Sequence, residues 1–186
     1  MKDSGGDVGS LLSGDFVTAE KWLRQVLDDG KPLLEGFNWH GFAEGAARNA
    51  RSREDDQHAS DAWATMSVTV YDRLAAEQAE GFTFELSAMN LRALLISRHG
   101  SADGHPVRDA ARLVKWFREG VADTSLEEVE REAERLRQLP VEQLSEQLDV
   151  MRRLRRIKNR LNVFRWQETV RPPDIERWLA IWDRLP

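Results

Sequence analysis

PVEQLSEQLDVMRRLRRIKNRLNVFRWQ, residues Pro140 to Gln167, reads as one long helix with two apolar faces. Val141, Leu144, Leu148 and Met151 follow a 3-4-3 spacing that lines them up on one side. Val150, Leu154, Ile157, Leu161 and Phe164 follow a 4-3-4-3 spacing that lines them up on another. At about 100° per residue the two stripes are centred roughly 140° apart. A helix patterned this way either bends around a core or serves two partners in succession. Opposite the second stripe stand Arg152, Arg155, Arg156, Asn159 and Arg160, with Lys158 at one margin, and no acidic residue occurs between Val150 and Gln167. This is the signature of a basic ridge, which points to binding rather than to catalysis.

Working outward from this stretch, the sequence predicts an all-α protein, a compact multi-helix bundle with a C-terminal helical arm. Upstream, Ser125 and Glu128 form a capping-box pattern, and Leu126, Val129, Ala133 and Leu136 repeat at helical spacing. Glu127 with Arg131, and Glu132 with Arg135, are placed to pair along that helix. The Leu139-Pro140 step breaks the chain, because proline disfavours α geometry in the residue before it. Downstream, Arg171-Pro-Pro-Asp174 is a second break before a short helix carrying Ile175, Trp178, Leu179 and Trp182. So short a helix must dock its tryptophans to be stable.

The first two thirds carry the same helical period. Thr18 is placed to cap a helix bearing Ala19, Trp22, Leu23, Val26 and Leu27, which Gly30 stops. From Pro32 to Arg53 aromatics alternate with glycines and no regular period survives, so the segment reads as an irregular, partly buried loop. A long helix over 54–80 is striped by Trp63, Met66, Val70 and Leu74, and one over 84–98 is apolar on several sides, as a central helix would be. Pro106 suits the first turn of another helix, with Val107, Ala110, Val114 and Phe117 facing inward and Gly120 at its end. The expected organisation is a disordered lead-in over 1–14, a helical core over 15–122, and an arm over 123–186 packed on that core. No internal repeat is present.

Composition narrows the function classes. The chain has 186 residues, 41% hydrophobic and 32% charged, with a formal net charge of -5. That balance argues against a generic nucleic-acid coat or a polybasic membrane binder, while leaving room for a local basic patch. No cysteine is present, which excludes disulfides, thiolate chemistry and cysteine zinc sites. The first residues contain no apolar signal core, and no apolar run approaches the roughly 18 residues of a membrane span. A cytoplasmic protein with no membrane partner is the expectation.

Motifs for chemistry are sparse. Asp55 and His58 could present two metal ligands on one helical face, but no second matching pair accompanies them, so neither a metal nor a cofactor is expected. Phosphate-binding loops, nucleophile elbows and kinase signatures are absent. The run Arg53-Glu-Asp-Asp-Gln-His58 resembles, in its Arg-x4-His spacing, the motif of the small helical ribonucleases called HEPN domains. Over these six residues the resemblance implies an Arg53 and a His58 flanking a scissile phosphate, usually across a dimer. Phe37, Trp39, His40 and Phe42 either plug a helical core or form a contact patch, together with Trp178 and Trp182 at the far end of the chain.

The leading functional expectation is a non-enzymatic protein that works through protein–protein contacts with another protein or with itself, as adaptor, assembly subunit or inhibitor. The second stripe or the tryptophan tail is the surface expected to lack room within one subunit. The alternative is nucleic-acid binding along Arg152, Arg155, Arg156, Asn159 and Arg160. The third reading is a ribonuclease built on Arg53 and His58. No residue is assigned a catalytic role.

Overall fold

The structure, a computed structural model, describes residues 8–27, 33, 35–53, 55–77, 81–100, 106–165 and 169–186. Among them are ten α-helices, two 3-10 turns and no strand, so the protein is all-α and multi-helical. The chain divides into two compact units, Met1–Leu95 and Ile96–Pro186. The division falls inside one helix, where the sequence had suggested a boundary after residue 122.

The first unit is built from α1 (Val8–Ser13), α2 (Phe16–Val26), α3 (Trp39–Ser52), α4 (Gln57–Glu77) and most of α5 (Phe82–His99). The expected disordered lead-in therefore contains a helix, and its residues 1–7 lie outside the described ones. The end of α1 is held by Asn49 of α3, whose amide donates to the Leu12 carbonyl at 2.9 Å. Leu12 lies over Gly45 so closely that a β-carbon there would collide with it. Helix α2 begins two residues before the expected Thr18. Asp15 is the cap, accepting from the Thr18 backbone N–H at 2.8 Å and its hydroxyl at 3.0 Å. Those bonds hold the Asp15 carboxyl below its ordinary range.

The largest departure from the sequence reading is α3. The stretch taken as an irregular loop turns at Gly36 (φ 81°), and Asn38 then caps a 14-residue helix by accepting from Gly41 at 2.8 Å. Its alanines Ala43, Ala46, Ala47 and Ala50 are buried, and α3 packs along α4. With no bulky side chains on this face, the two backbones approach closely enough for serines of α4 to reach carbonyls of α3. Ser67 donates to Ala43 at 2.7 Å and Ser60 to Ala50 at 2.5 Å. The expected stripe Trp63, Met66, Val70 and Leu74 is buried, and so are Ala59, Ala64, Val68 and Tyr71. Helix α5 is also buried on several sides, through Ala88, Met89, Leu91, Ala93, Leu95 and Ile96. Arg92 of α5, 6% exposed, forms a two-pronged bridge to Asp72 of α4, with one bond of 2.9 Å.

The second unit contains the end of α5, α6 (Pro106–Gly120), α7 (Leu126–Gln138), α8 (Val141–Leu144), α9 (Leu148–Arg165) and α10 (Ile175–Leu179). Helix α6 packs on α9, which is why it belongs with the C-terminal helices. Its buried face is Asp109, Leu113, Trp116 and Phe117, rotated from the expected one, and Val107 is 84% exposed. Helix α7 follows the expected pattern: Ser125 caps it, accepting from Glu128 at 3.1 Å, and Val129, Ala133 and Leu136 are buried. Leu139 is extended (φ -75°, ψ 140°) as the following proline demands. After α10 a 3-10 turn, Trp182–Arg184, changes the period. The buried set is therefore Ile175, Trp178, Ile181 and Leu185 rather than one ending at Trp182.

Candidate functional site

The stretch 140–167 does not form one uniform helix. Four residues of α8 lead into a 3-10 turn, Ser145–Gln147, and α9 runs on from Leu148 to Arg165, with residues 166–168 outside the described ones. Its two stripes have opposite fates. Leu154, Ile157, Leu161 and Phe164 are all at most 1% exposed, and Phe164 meets Phe117 edge to face at 5.5 Å. The first stripe stays at the surface: Val141 is 78% exposed and Leu148 50%, with Leu144 and Met151 partly exposed. The sequence leaves either the second stripe or the tryptophan tail as the surface expected to lack room. Helices α6, α7 and α10 pack on α9 and the stripe is buried from Leu154 to Phe164, whereas Val150 at its start is only partly buried.

The ridge also divides. Arg152, Arg155 and Arg156 are exposed, and Arg152 lies 3.5 Å from Asp149 one turn earlier. Arg160 is not part of an open ridge. Its guanidinium lies 4.4 Å over the Trp116 ring, donates to the Trp116 carbonyl, and crosses Gly120 where a β-carbon would collide. Arg160 is therefore a strap between α9 and α6, and Asn159 beside it is only partly exposed. Lys158 donates to the Leu185 carbonyl at 2.6 Å and, with Arg165, brackets the Trp182 ring at 4.7 and 4.0 Å.

The acidic surface of α7 is met by arginines, though not by those of the ridge or by its own. Arg153 bonds Glu128 at 3.2 Å and also Glu132. Burial works against the Arg153 charge, but the two glutamates outweigh it and raise its pKa. Arg177 bonds Glu127 at 3.2 Å, and Arg184 bonds Glu130. The expected Glu127–Arg131 and Glu132–Arg135 pairs are displaced by these longer-range ones. The sequence did carry a signal for Arg153, since Glu128 and Glu132 sit one turn apart on α7 and together favour a shared cation.

Of the aromatic patch, Trp39 and Phe42 are core residues at 5% and 0% exposure. Phe37, partly exposed, packs against Trp39 and Trp22 at 4.6 and 5.0 Å. His40 is exposed, its ring 5.3 Å from Phe84. Trp178 is buried against Phe117 at 5.9 Å, and Trp182 is partly exposed.

Arg53 ends α3, with its guanidinium 6.0 Å from the Trp63 ring, whereas His58 lies in the first turn of α4, edge-on to Phe16 at 5.2 Å. The two side chains engage different rings on different helices. His58 also borders an open groove of about 800 Å³ between α2 and α4, floored by Leu23 and Met66. Among the described residues no three His, Asp or Glu side chains converge as a metal site, and no helix is long and apolar enough to cross a membrane.

No family model matches the chain, no curated protein matches its sequence, and no solved structure matches its fold.

Proposed function

We propose that the chain is a non-enzymatic, cytoplasmic interaction protein whose working surface is the α8–α9 face. The observation that carries this reading is the exposed stripe Val141, Leu144, Leu148 and Met151, continued on the same side by Arg152 and Arg155. Large aliphatic side chains in a row are costly to leave in water, each worth about 1.5–3 kcal/mol when fully buried. A run of them beside charged residues is the composition of a contact surface. Nucleic-acid binding is the runner-up, supported by the exposure of Arg152, Arg155 and Arg156 and weakened by the use of Arg160 inside the fold.

The test is a photo-reactive phenylalanine analogue in place of Leu144, irradiated in cells. Protein adducts are expected, and they should disappear when Val141→Glu and Leu148→Glu are added. Adducts to nucleic acid, or protein adducts indifferent to those changes, would remove the basis of the reading.

A further inference from the structure

We infer that the occupant of the α8–α9 face is an acidic amphipathic segment of another protein, apolar at the end that meets Val141 and carboxylate-bearing at the end that meets Arg155; this rests on the interaction reading above. Charge complementarity selects it. Val141, Leu144, Leu148, Met151 and Arg155 keep a 3-4-3-4 spacing, with Arg152 beside Met151, and the row runs on to the neutral Asn159 and Asn162. Glu142 and Glu146 each stand two residues from Leu144, about 200° around a helix, so they point away from the row. Asp149 is the only acid of α9, and it lies at the margin, 3.5 Å from Arg152. That pair is 98% exposed at the aspartate and 71% at the arginine, so water screens it and a carboxylate arriving over the row competes for Arg152. Arg155 is exposed, and no acid of α9 stands within its own turn. The face is therefore apolar at one end and basic at the other, and its complement is apolar at one end and acidic at the other.

The same geometry disfavours a polyanion and a membrane. Arg153, Lys158 and Arg160 of α9 are already engaged, with Glu128 and Glu132, the Leu185 carbonyl and the Trp116 carbonyl respectively. The two arginines on the row would neutralise about two phosphates, against the about 6–10 contacts of a strong duplex binder. The apolar half of the row would find nothing on a phosphate backbone to bury against. A membrane presses on a broad arc of a helix that lies in its surface. It would bring Glu142 and Asp149, each about 100° from Val141 or Leu148, against anionic headgroups. A protein segment that follows the row leaves those acids in water. From 141 to 155 the row spans roughly 21 Å at 1.5 Å per residue, a small contact by the standard of specific interfaces. The complex is accordingly weak, with a Kd of about 10–100 µM.

The experiment uses the full chain and a fluorescein-labelled synthetic peptide, with leucines at 3-4 spacing through one half and glutamates at the same positions in the other. A control peptide carries lysines in place of those glutamates. Fluorescence anisotropy should show the acidic peptide bound at least about tenfold more tightly than the control. Arg152→Glu with Arg155→Glu should reverse that order, since the basic end of the row becomes acidic. Val141→Ser with Leu148→Ser should weaken the acidic peptide by about tenfold or more, since the row loses its large side chains. All four residues are exposed, and circular dichroism checks that helicity is kept. Reversal of the order in the arginine variant supports the acidic occupant. A parent that does not prefer the acidic peptide, a preference that survives the arginine changes, or binding that ignores the serine changes overturns it. So does tighter binding of single-stranded RNA or of phosphatidylserine vesicles, which would assign the face to phosphate. If the acidic preference fails while the Leu144 probe still captures protein in cells and needs Val141 and Leu148 to do so, the acidic occupant falls and the interaction reading stands. If neither occurs, both fall.

Discussion

The two units hold their helices together by different means. In the first, α3 and α4 meet through alanines, with serine hydroxyls closing on carbonyls across the seam, and the near-buried Arg92–Asp72 pair bridges α5 to α4. In the second, α7 combines a single buried row with surface bridges from Arg153, Arg177 and Arg184. The contrast shows that a guanidinium–carboxylate pair is not one kind of interaction. Where the arginine is 6% exposed, losing it leaves a carboxylate with little water to replace the bonds. Where the arginine itself keeps more than a third of its surface, as Arg153, Arg177 and Arg184 do, water and salt screen most of the attraction, even though Glu132 opposite Arg153 is 22% exposed.

The strongest way to break that comparison is Arg92→Ala. Removing one member of a buried pair costs about 3–5 kcal/mol, and the lower end is expected because the Asp72 side chain keeps 29% of its surface exposed. Urea unfolding followed by tryptophan fluorescence would read the change. A loss no greater than that of a surface-bridge variant would show that burial does not separate the two kinds of pair. Next in size is Ala46→Leu at the α3–α4 seam, where the alanine is fully buried. Extra methylenes in a close-packed seam cost about 1–3 kcal/mol. The same enlargement at Val107 of α6, which is 84% exposed, should leave the midpoint unchanged within about 0.5 kcal/mol.

The seam was also the part of the fold least legible in the sequence. Long side chains at helical spacing announce α4 and α9, and both the stripe Trp63 to Leu74 and the row Leu154 to Phe164 are visible from spacing, although spacing foretells the burial of the first alone. Alanine and glycine carry little hydrophobic contrast, so Ala43, Ala46, Ala47 and Ala50 were overlooked although they repeat at 3-1-3 spacing after a capping Asn38. At the candidate site the residues were visible but their fates were not. Val141 and Leu148 look as buriable as Leu154 and Ile157, and only the surrounding helices decide which row is covered. Likewise, nothing local distinguishes Arg160, folded onto Trp116, from the exposed Arg155.

The smallest effects belong to the surface bridges, and they sharpen the comparison by their sensitivity to salt and acid. Arg153→Ala, whose parent side chain is 38% exposed, should cost no more than about 1 kcal/mol, and that cost should shrink in 1 M salt. Glu127 makes the point at a single group. Its carboxyl is held below the ordinary range first by its own backbone N–H and, against the cost of burial, by the charge and hydrogen bond of Arg177 and a hydrogen bond from Ser125. A carboxylate whose folded pKa is depressed contributes stability that is present above its unfolded value, about 4.3, and is lost as pH falls through the lower folded value. An NMR titration of the Glu127 side chain should therefore show a midpoint below that of a free glutamate. Arg177→Ala should raise the midpoint only part of the way back, since the backbone contribution survives, and 1 M salt should act on the parent in the same direction. A midpoint that ignores both changes would mean that Arg177 rests against α7 without contributing to its charge balance, leaving the backbone and Ser125 hydrogen bonds as the cause.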